Sequence, residues 1–429
     1  MNIVNLKWQK STTDLGVPLH TYNMPHANSV VCCKLVNVGT RDEKWPEEAG
    51  LTHALEHMVF QGTENFPDSQ TLGAYIENIG GDINAMTGHE KTCFYVYVPA
   101  NEIERAIHVL SQMMMRPLLP ESKIKTEMDA IIEETHMHND EPRDRTLILA
   151  RNKVYGEHPL GREISGTEES VLNFKLSDFC RFHRYYYHAS NLNFIVVGRL
   201  PQNGVDVVTK LFSKHFFGIE KGSSTSREVN LKTDGRLLFC QEKKDIKQVC
   251  IVLAAPIYHG TSKEEHDILS LFSEMIGGGS SFPLFVEVRD KLGLCYEIFS
   301  HNDRQSDLSS FLIYTGTKPD RFKEAISKIF DIINISKTDS TLLERAKLML
   351  LGQLAISFDN PLQVTIAATR DIVLSGKARD QEEIAEIVTG ITIDDINRVA
   401  TKYLNRDNFT KVFLTPEDVV ITEADLSAV

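Results

Sequence analysis

The chain has 429 residues, more than one hydrophobic core ordinarily serves, so two substantial domains are expected. Its composition, 42% hydrophobic and 24% charged, is that of a folded globular protein and excludes the disordered, fibrous and low-complexity classes. A formal net charge of −13, with no basic stripe interleaved with aromatics, excludes a nucleic-acid partner and suits neutral or cationic peptides.

The opening residues MNIVNLKWQK carry neither an apolar signal core nor an Arg-rich amphipathic pattern, and no apolar run approaches the roughly 18 residues of a membrane span. Seven cysteines form an odd set with no C-x-x-C pair and read as reduced, mostly buried thiols. A cytoplasmic location without membrane contact is therefore the expectation.

In chain order, residues 29–38 (SVVCCKLVNV) predict a strand, 48–61 a helix, and 92–98 (TCFYVYV) a second strand. A helix begins near Asn101, and another runs from Glu121 to His138. Residues 218–234, rich in Gly, Ser and charge and without apolar period, read as a linker between domains 1–217 and 235–429. At a constant offset of 217, Leu176, Asp178, Phe179, Phe182, Tyr186 and Asn191 fall on Ile393, Asp395, Ile396, Val399, Tyr403 and Asn408. The strand Asn193 to Val197 then falls on Thr410 to Leu414, so the halves read as copies of one α+β unit, a mostly antiparallel sheet with helices on a face.

The run His53-Ala54-Leu55-Glu56-His57 puts two imidazoles four residues apart, on one face of a helix. At 100° per residue, His53, Glu56, His57 and Phe60 share one arc, while Leu51, Leu55, Met58 and Val59 share the opposite one. The helix can pack by its apolar side and present the polar side to a cleft. This is the H-x-x-E-H pattern of metallopeptidases, in which the carboxylate serves as general base; two surface histidines beside a glutamate is the plainer alternative.

A catalytic zinc needs a third protein ligand. The helix over residues 123–138 has an apolar stripe through Ile124, Met128, Ile131, Ile132 and Thr135, flanked by Glu127 and Glu134, with Glu133 directed away from it. A carboxylate at a buried margin must find a proton, a cation or a metal, so Glu127 and Glu134 are the candidates and Glu133 reads as solvated. His136 and His138 are also eligible by chemistry alone.

The segment 50–63, GLTHALEHMVFQGT, followed by Glu134 after 76 residues counted from His57, closely resembles the pitrilysin/insulinase family of zinc metallopeptidases, which includes the mitochondrial processing peptidases. The resemblance implies His53, His57 and Glu134 as ligands of one zinc ion per chain, Glu56 as catalytic base, and Glu127 as a carboxylate supporting a ligand histidine. Gly80-Gly81-Asp82-Ile83-Asn84-Ala85, then Thr87 and the strand after it, resembles the family's substrate-binding edge strand. Asn84 and Ala85 are then the residues to hold an extended peptide, with Phe60 nearby. Read without the family, it is a Gly-Gly turn entering a core strand.

In the second half, Gly277-Gly278-Gly279-Ser280-Ser281 before a segment containing Arg289 and Tyr296 resembles the family's glycine-rich loop and its Arg/Tyr pair, which implies that Arg289 and Tyr296 reach the substrate and the oxyanion. No Gly-Lys-Ser/Thr follows, which removes a phosphate-loop reading. Phe282-Pro283 departs from the Arg-Leu that family members carry after the serines, while residues 156–168, GEHPLGREISGTE, fit the family well. The second half holds no H-x-x-E-H run, so metal is expected in the first half alone.

In the family, four such units form a clamshell, and one chain here supplies two, half of it. The resemblance thus implies a homodimer, or a heterodimer with a related subunit, enclosing a chamber in which unfolded peptides are cut. A non-catalytic structural subunit and a zinc-binding scaffold without hydrolysis are the rival readings; the complete metal set disfavours the first, and Glu56→Gln separates a peptidase from the second.

Overall fold

The computed structural model describes residues 6–223, 227, 238–257 and 261–426. Most of the expected linker, 224–226 and 228–234, lies outside the described residues. The fold is mixed helix and sheet, in two compact units, each with its own sheet.

The first sheet is built from β1 (Gln9–Thr12), β2 (Pro18–Asn23), β3 (Ser29–Val36), β4 (Asp82–Thr87), β5 (Thr92–Pro99) and β6 (Leu192–Gly198), in the order β1-β2-β6-β3-β5-β4. The second contains β7 (Phe239–Lys243), β8 (Val249–Ile257), β9 (Cys295–Arg304), β10 (Ser309–Thr317) and β11 (Thr410–Thr415), in the order β7-β11-β8-β10-β9. In each sheet one pair is parallel, β2 with β6 and β7 with β11, and the remaining pairs are antiparallel. The two sheets therefore share one topology, with β1 added to the first.

The repeat extends to the helices. Leu176–Tyr186 and Ile393–Tyr403 occupy the same place before β6 and β11, and each is followed by a 3-10 turn, Ala189–Asn191 and Arg406–Asn408, at the same offset of 217. Arg181 pairs with Glu48 in the first unit, and its counterpart Arg398 reaches Glu265 at 3.7 Å in the second.

Strand β3 explains why its sequence is apolar at nearly every position. Val30, Cys32 and Val36 face one core with the helices Leu51–Val59 and Ile103–Met115, while Val31, Cys33 and Leu35 face another formed with Val364, Ala368 and Ile372. A strand covered on both faces loses the polar alternation of a half-exposed one.

The covering helices produce a departure from the linear domain division. One unit takes the described residues of Met1–Thr135, Glu163–Glu228 and Leu354–Ile384; the other takes those of His136–Arg162, Val229–Gln353 and Ala385–Val429. The helix Pro361–Ser375, from the C-terminal half, packs Val364, Ala368 and Ile372 on the first sheet. The helix Pro142–Tyr155, from the N-terminal half, packs Leu149, Ala150, Val154 and Tyr155 on Val252, Ala254, Val412 and Leu414 of the second. Each half thus lends one helix to the other's sheet, so boundaries at 217 and 235 divide the sequence but not the cores. Among the described residues no helix is long and apolar enough to cross a membrane.

Candidate metal centre

The helix Leu51–Val59 buries Leu51, Ala54, Leu55, Met58 and Val59, which leaves His53, Glu56 and His57 on its other side. Its first turn is held from outside. Glu43 accepts from Gly50 N–H at 2.9 Å and from Thr52 N–H at 2.8 Å, satisfying amide donors that the helix itself cannot. Burial pushes the Glu43 carboxyl up to about 8, against those two hydrogen bonds. Gly50 has φ of 86°, and a Cβ there would lie 2.4 Å from Ser165 O, so only glycine lets residues 163–166 close on the helix start.

The helix Glu121–Asp140 buries Ile124, Met128 and Ile131 and leaves Glu127 and Glu134 on the flanks of that stripe, with Glu133 exposed. Glu134 Oε2 lies 3.8 Å from His53 Nε2 and 3.7 Å from His57 Nε2. One ligand atom from each of the three falls within 4.8 Å of the others, and this is the one such group among the described residues. Donors about 2.1 Å from a tetrahedral centre stand roughly 3.4 Å apart, so two imidazoles and a carboxylate at these distances fit zinc with little movement. The two rings meet edge to face, 4.7 Å between centroids at 82°. His138 lies 3.2 Å from Asp144 and is outside the trio.

Around the trio stand two further carboxylates. Glu127 Oε2 is 3.5 Å from His57 Nδ1, the ring nitrogen opposite the one that faces Glu134. Glu56 accepts a short hydrogen bond from the Thr87 hydroxyl of β4; burial raises its pKa, opposed by that bond and by His57.

The other sequence candidates divide between the two units. Asn84 and Ala85 lie on β4, the edge strand of the first sheet, and the Ala85 N–H donates to Asn84 Oδ1 at 2.8 Å in an exposed setting. Phe60, partly buried, packs against the first core, 6.2 Å from Phe94 between ring centroids. In the second unit Tyr296 lies on the edge strand β9, 77% exposed and so open to a ligand, and lines a cavity of about 310 Å³ with Glu141, Glu297 and Tyr314. The Arg289 guanidinium stacks between Phe285 and Tyr296, 4.4 and 4.8 Å from their ring centroids. Where the sequence departs from the family, Phe282 is buried in the second core and Pro283 leads into a π-helical stretch, Leu284–Lys291, that carries Arg289.

Sequence reasoning did not single out Glu43, or Thr87 as the partner of Glu56. Both act from outside the motif helix, seven and more residues away, where no periodicity connects them to it.

The chain is similar to known proteins over most of its length. The family profile described as Insulinase (Peptidase family M16) matches residues 20–168, and the one described as Peptidase M16 inactive domain matches 173–350. An uncharacterised zinc protease of Rickettsia felis is 30% identical over 411 residues, 94% of this chain and 96% of that protein. The uncharacterised zinc protease YmxG of Bacillus subtilis is 27% identical over 93% of this chain and 96% of its own. A protease from Helicobacter pylori shares the fold with a TM-score of 0.87 at 21% identity, over 96% of this chain and 100% of that one. With a His-His-Glu trio on its motif helix and the helix Glu121–Asp140, and both halves matched, this chain belongs to the insulinase family of peptidases, M16.

Proposed function

We propose that the protein is a zinc-dependent endopeptidase that hydrolyses unfolded oligopeptides. The observation that carries this reading is the convergence of His53, His57 and Glu134 within 4.8 Å, with Glu56 one residue from a ligand on the same helix face. When bound, zinc supplies the Lewis acidity that polarises a scissile carbonyl and acidifies water. His53, His57 and Glu134 hold the ion, and Glu127 accepts the Nδ1 proton of His57, fixing that ring's tautomer and orientation. Glu56 takes a proton from the attacking water and returns it to the leaving amine. Thr87 holds the Glu56 carboxylate against β4 while it does so.

An extended substrate adds to the open edge of β4 through backbone hydrogen bonds, with Ala85 N–H exchanging Asn84 Oδ1 for a substrate carbonyl. Tyr296, oriented by the stacked Arg289, donates to the oxyanion. The family's four-unit clamshell favours a homodimer, in which Arg289 and Tyr296 of a second copy complete the site; a heterodimer with a related subunit is the other arrangement. The odd cysteine count favours the reducing cytoplasm.

The test is hydrolysis of a quenched fluorescent peptide library by the purified chain, with and without chelator, alongside Glu56→Gln and sizing by gel filtration. Cleavage that chelation abolishes and zinc restores, absent in E56Q, is expected. A protein that holds zinc and cleaves nothing would be a binding subunit instead.

A further inference from the structure

Three sulfur-bearing side chains share one face of three adjacent strands in the first unit. In the register of β3 and β5, Cys33 stands opposite Tyr95 and Leu35 opposite Cys93, so the two cysteines are diagonal neighbours within one apolar cluster. Met86 of β4 stands directly opposite Cys93 and packs against the same cluster. Both pairings run without a register shift. The flanking residues of β4 face the other way, where Ala85 packs on the first core and the Thr87 hydroxyl donates to Glu56. The sulfur row is therefore separate from the His53 trio.

The two thiols are free and buried, and their Sγ atoms stand 3.0 Å apart. That is nearer than the roughly 3.5–4.0 Å that suits even the smaller carbon atoms. Direct oxidation to a disulfide is poorly served by this register, because diagonal neighbours on paired strands have Cα atoms about 7–8 Å apart and a disulfide spans at most about 7 Å. An ion held by both sulfurs has the opposite requirement. At the roughly 2.3 Å of a metal–thiolate bond, trigonal coordination sets two sulfurs about 4 Å apart, which opens the contact instead of forcing the strands together.

The surroundings select the ion. Thiolate and thioether ligands favour soft cations such as monovalent copper and zinc. Zinc completes a tetrahedron of four donors, whereas Leu35, Val364, Ala368 and Ile372, which share the cluster, offer only hydrocarbon. Three sulfurs in an apolar shell suit the lower coordination number of monovalent copper. Binding releases both thiol protons and leaves the ion with two thiolates, one net negative charge. Lys91, half-buried in the hairpin between β4 and β5 with Nζ 2.5 Å from Thr369 Oγ1, is placed to face that charge: burial lowers its pKa, and Cys93 and Cys33 raise it. Met86 is half-buried as well, so these two side chains form the margin by which an ion enters.

We propose that Cys33, Cys93 and Met86 form a binding site for monovalent copper, apart from the zinc centre, with the Lys91 ammonium as counterion of the complex.

The experiment is anaerobic competition for copper(I) between bicinchoninate, whose copper complex is coloured, and the reduced full chain, treated with zinc beforehand so that the imidazoles are engaged. The parent should withdraw one equivalent of copper. C33A and C93A should each weaken binding by at least about 100-fold and M86L, which stays apolar, by about 5- to 10-fold, while C32A, altered on the opposite face of β3, should bind as the parent does. X-ray absorption at the copper edge of the loaded parent should find sulfur as the neighbouring element, a readout that depends on no variant folding. Copper left with bicinchoninate, M86L equal to the parent, retention by both C33A and C93A, equal loss in C32A, or nitrogen beside the copper would overturn the site. So would a thiol count two below the seven of the sequence in protein purified without reductant, since the pair would then be a disulfide.

Discussion

Glu127 and Glu134 address opposite nitrogens of one imidazole: two turns apart on the helix Glu121–Asp140, they stand 3.5 Å from Nδ1 and 3.7 Å from Nε2 of His57. Under the proposed zinc reading, one carboxylate shares a metal with the ring and the other orients it. Replacing Glu127 by Gln should therefore leave the fold intact and weaken zinc affinity by about 10 to 100-fold. Competition with a chromogenic chelator measures this, and unchanged affinity would count against the orienting role.

Replacing Glu134 by Gln removes an anionic ligand, whereas replacing Glu56 by Gln removes the proton carrier. Metal analysis should find E134Q depleted of zinc and E56Q carrying about one ion per chain, with both showing turnover reduced by at least about 10³-fold. Equal metal content in the two variants would contradict the assignment.

Thr87→Val deletes the hydroxyl that holds Glu56 but keeps the β-branched shape suited to a strand. We expect kcat to fall by about 5 to 50-fold with little change in KM or zinc content, since the loss acts on the base and not on peptide docking. A rise in KM alone would indicate a role for Thr87 in binding substrate.

His183 donates from Nε2 to Met114 O at 2.9 Å, and burial lowers its pKa to about 4. The unfolded chain takes up a proton near pH 6.5 and the folded one only near 4, so stability is full above 6.5 and is lost as pH falls through that window. In urea titrations of metal-free protein, H183Q should reduce the loss of stability between pH 7 and 5 by up to about 2 kcal/mol, the remainder including His20 and His266, whose pKa values burial also lowers to about 4. An unchanged pH slope in H183Q would exclude this group as the cause.

Lys34 is fully buried on β3, its Nζ without a hydrogen-bond partner among the described residues and 4.1 Å from the centre of the Phe94 ring. Burial lowers its pKa well below the ordinary range. Lys34→Met keeps the length of the side chain and removes the desolvated amine, so it should raise stability by about 1–3 kcal/mol in the same titrations. Destabilisation would show that the amine contributes more to the core than its single ring contact suggests.

Much of this was legible in sequence because it depends on helical period. His53, Glu56 and His57 are separated from Leu51, Leu55 and Met58 by the 100° step, and Glu127 and Glu134 lie seven residues apart beside a clear apolar stripe. The repeat was legible for the same reason, since equal patterns give equal elements. Contacts between distant segments were not. Nothing near Glu43 marks it as the acceptor for the first amides of a helix that begins eight residues later. The helix Pro142–Tyr155 has almost no apolar period, so its sequence marks neither the face it buries nor the sheet that receives it.

That reciprocal loan has a consequence for the chain as a physical object. Synthesised alone, either half would emerge with one side of its β-layer bare, since the helix that should cover it is encoded in the missing fragment. A protease nick between residues 223 and 238 should leave two pieces that stay associated and separate only in denaturant.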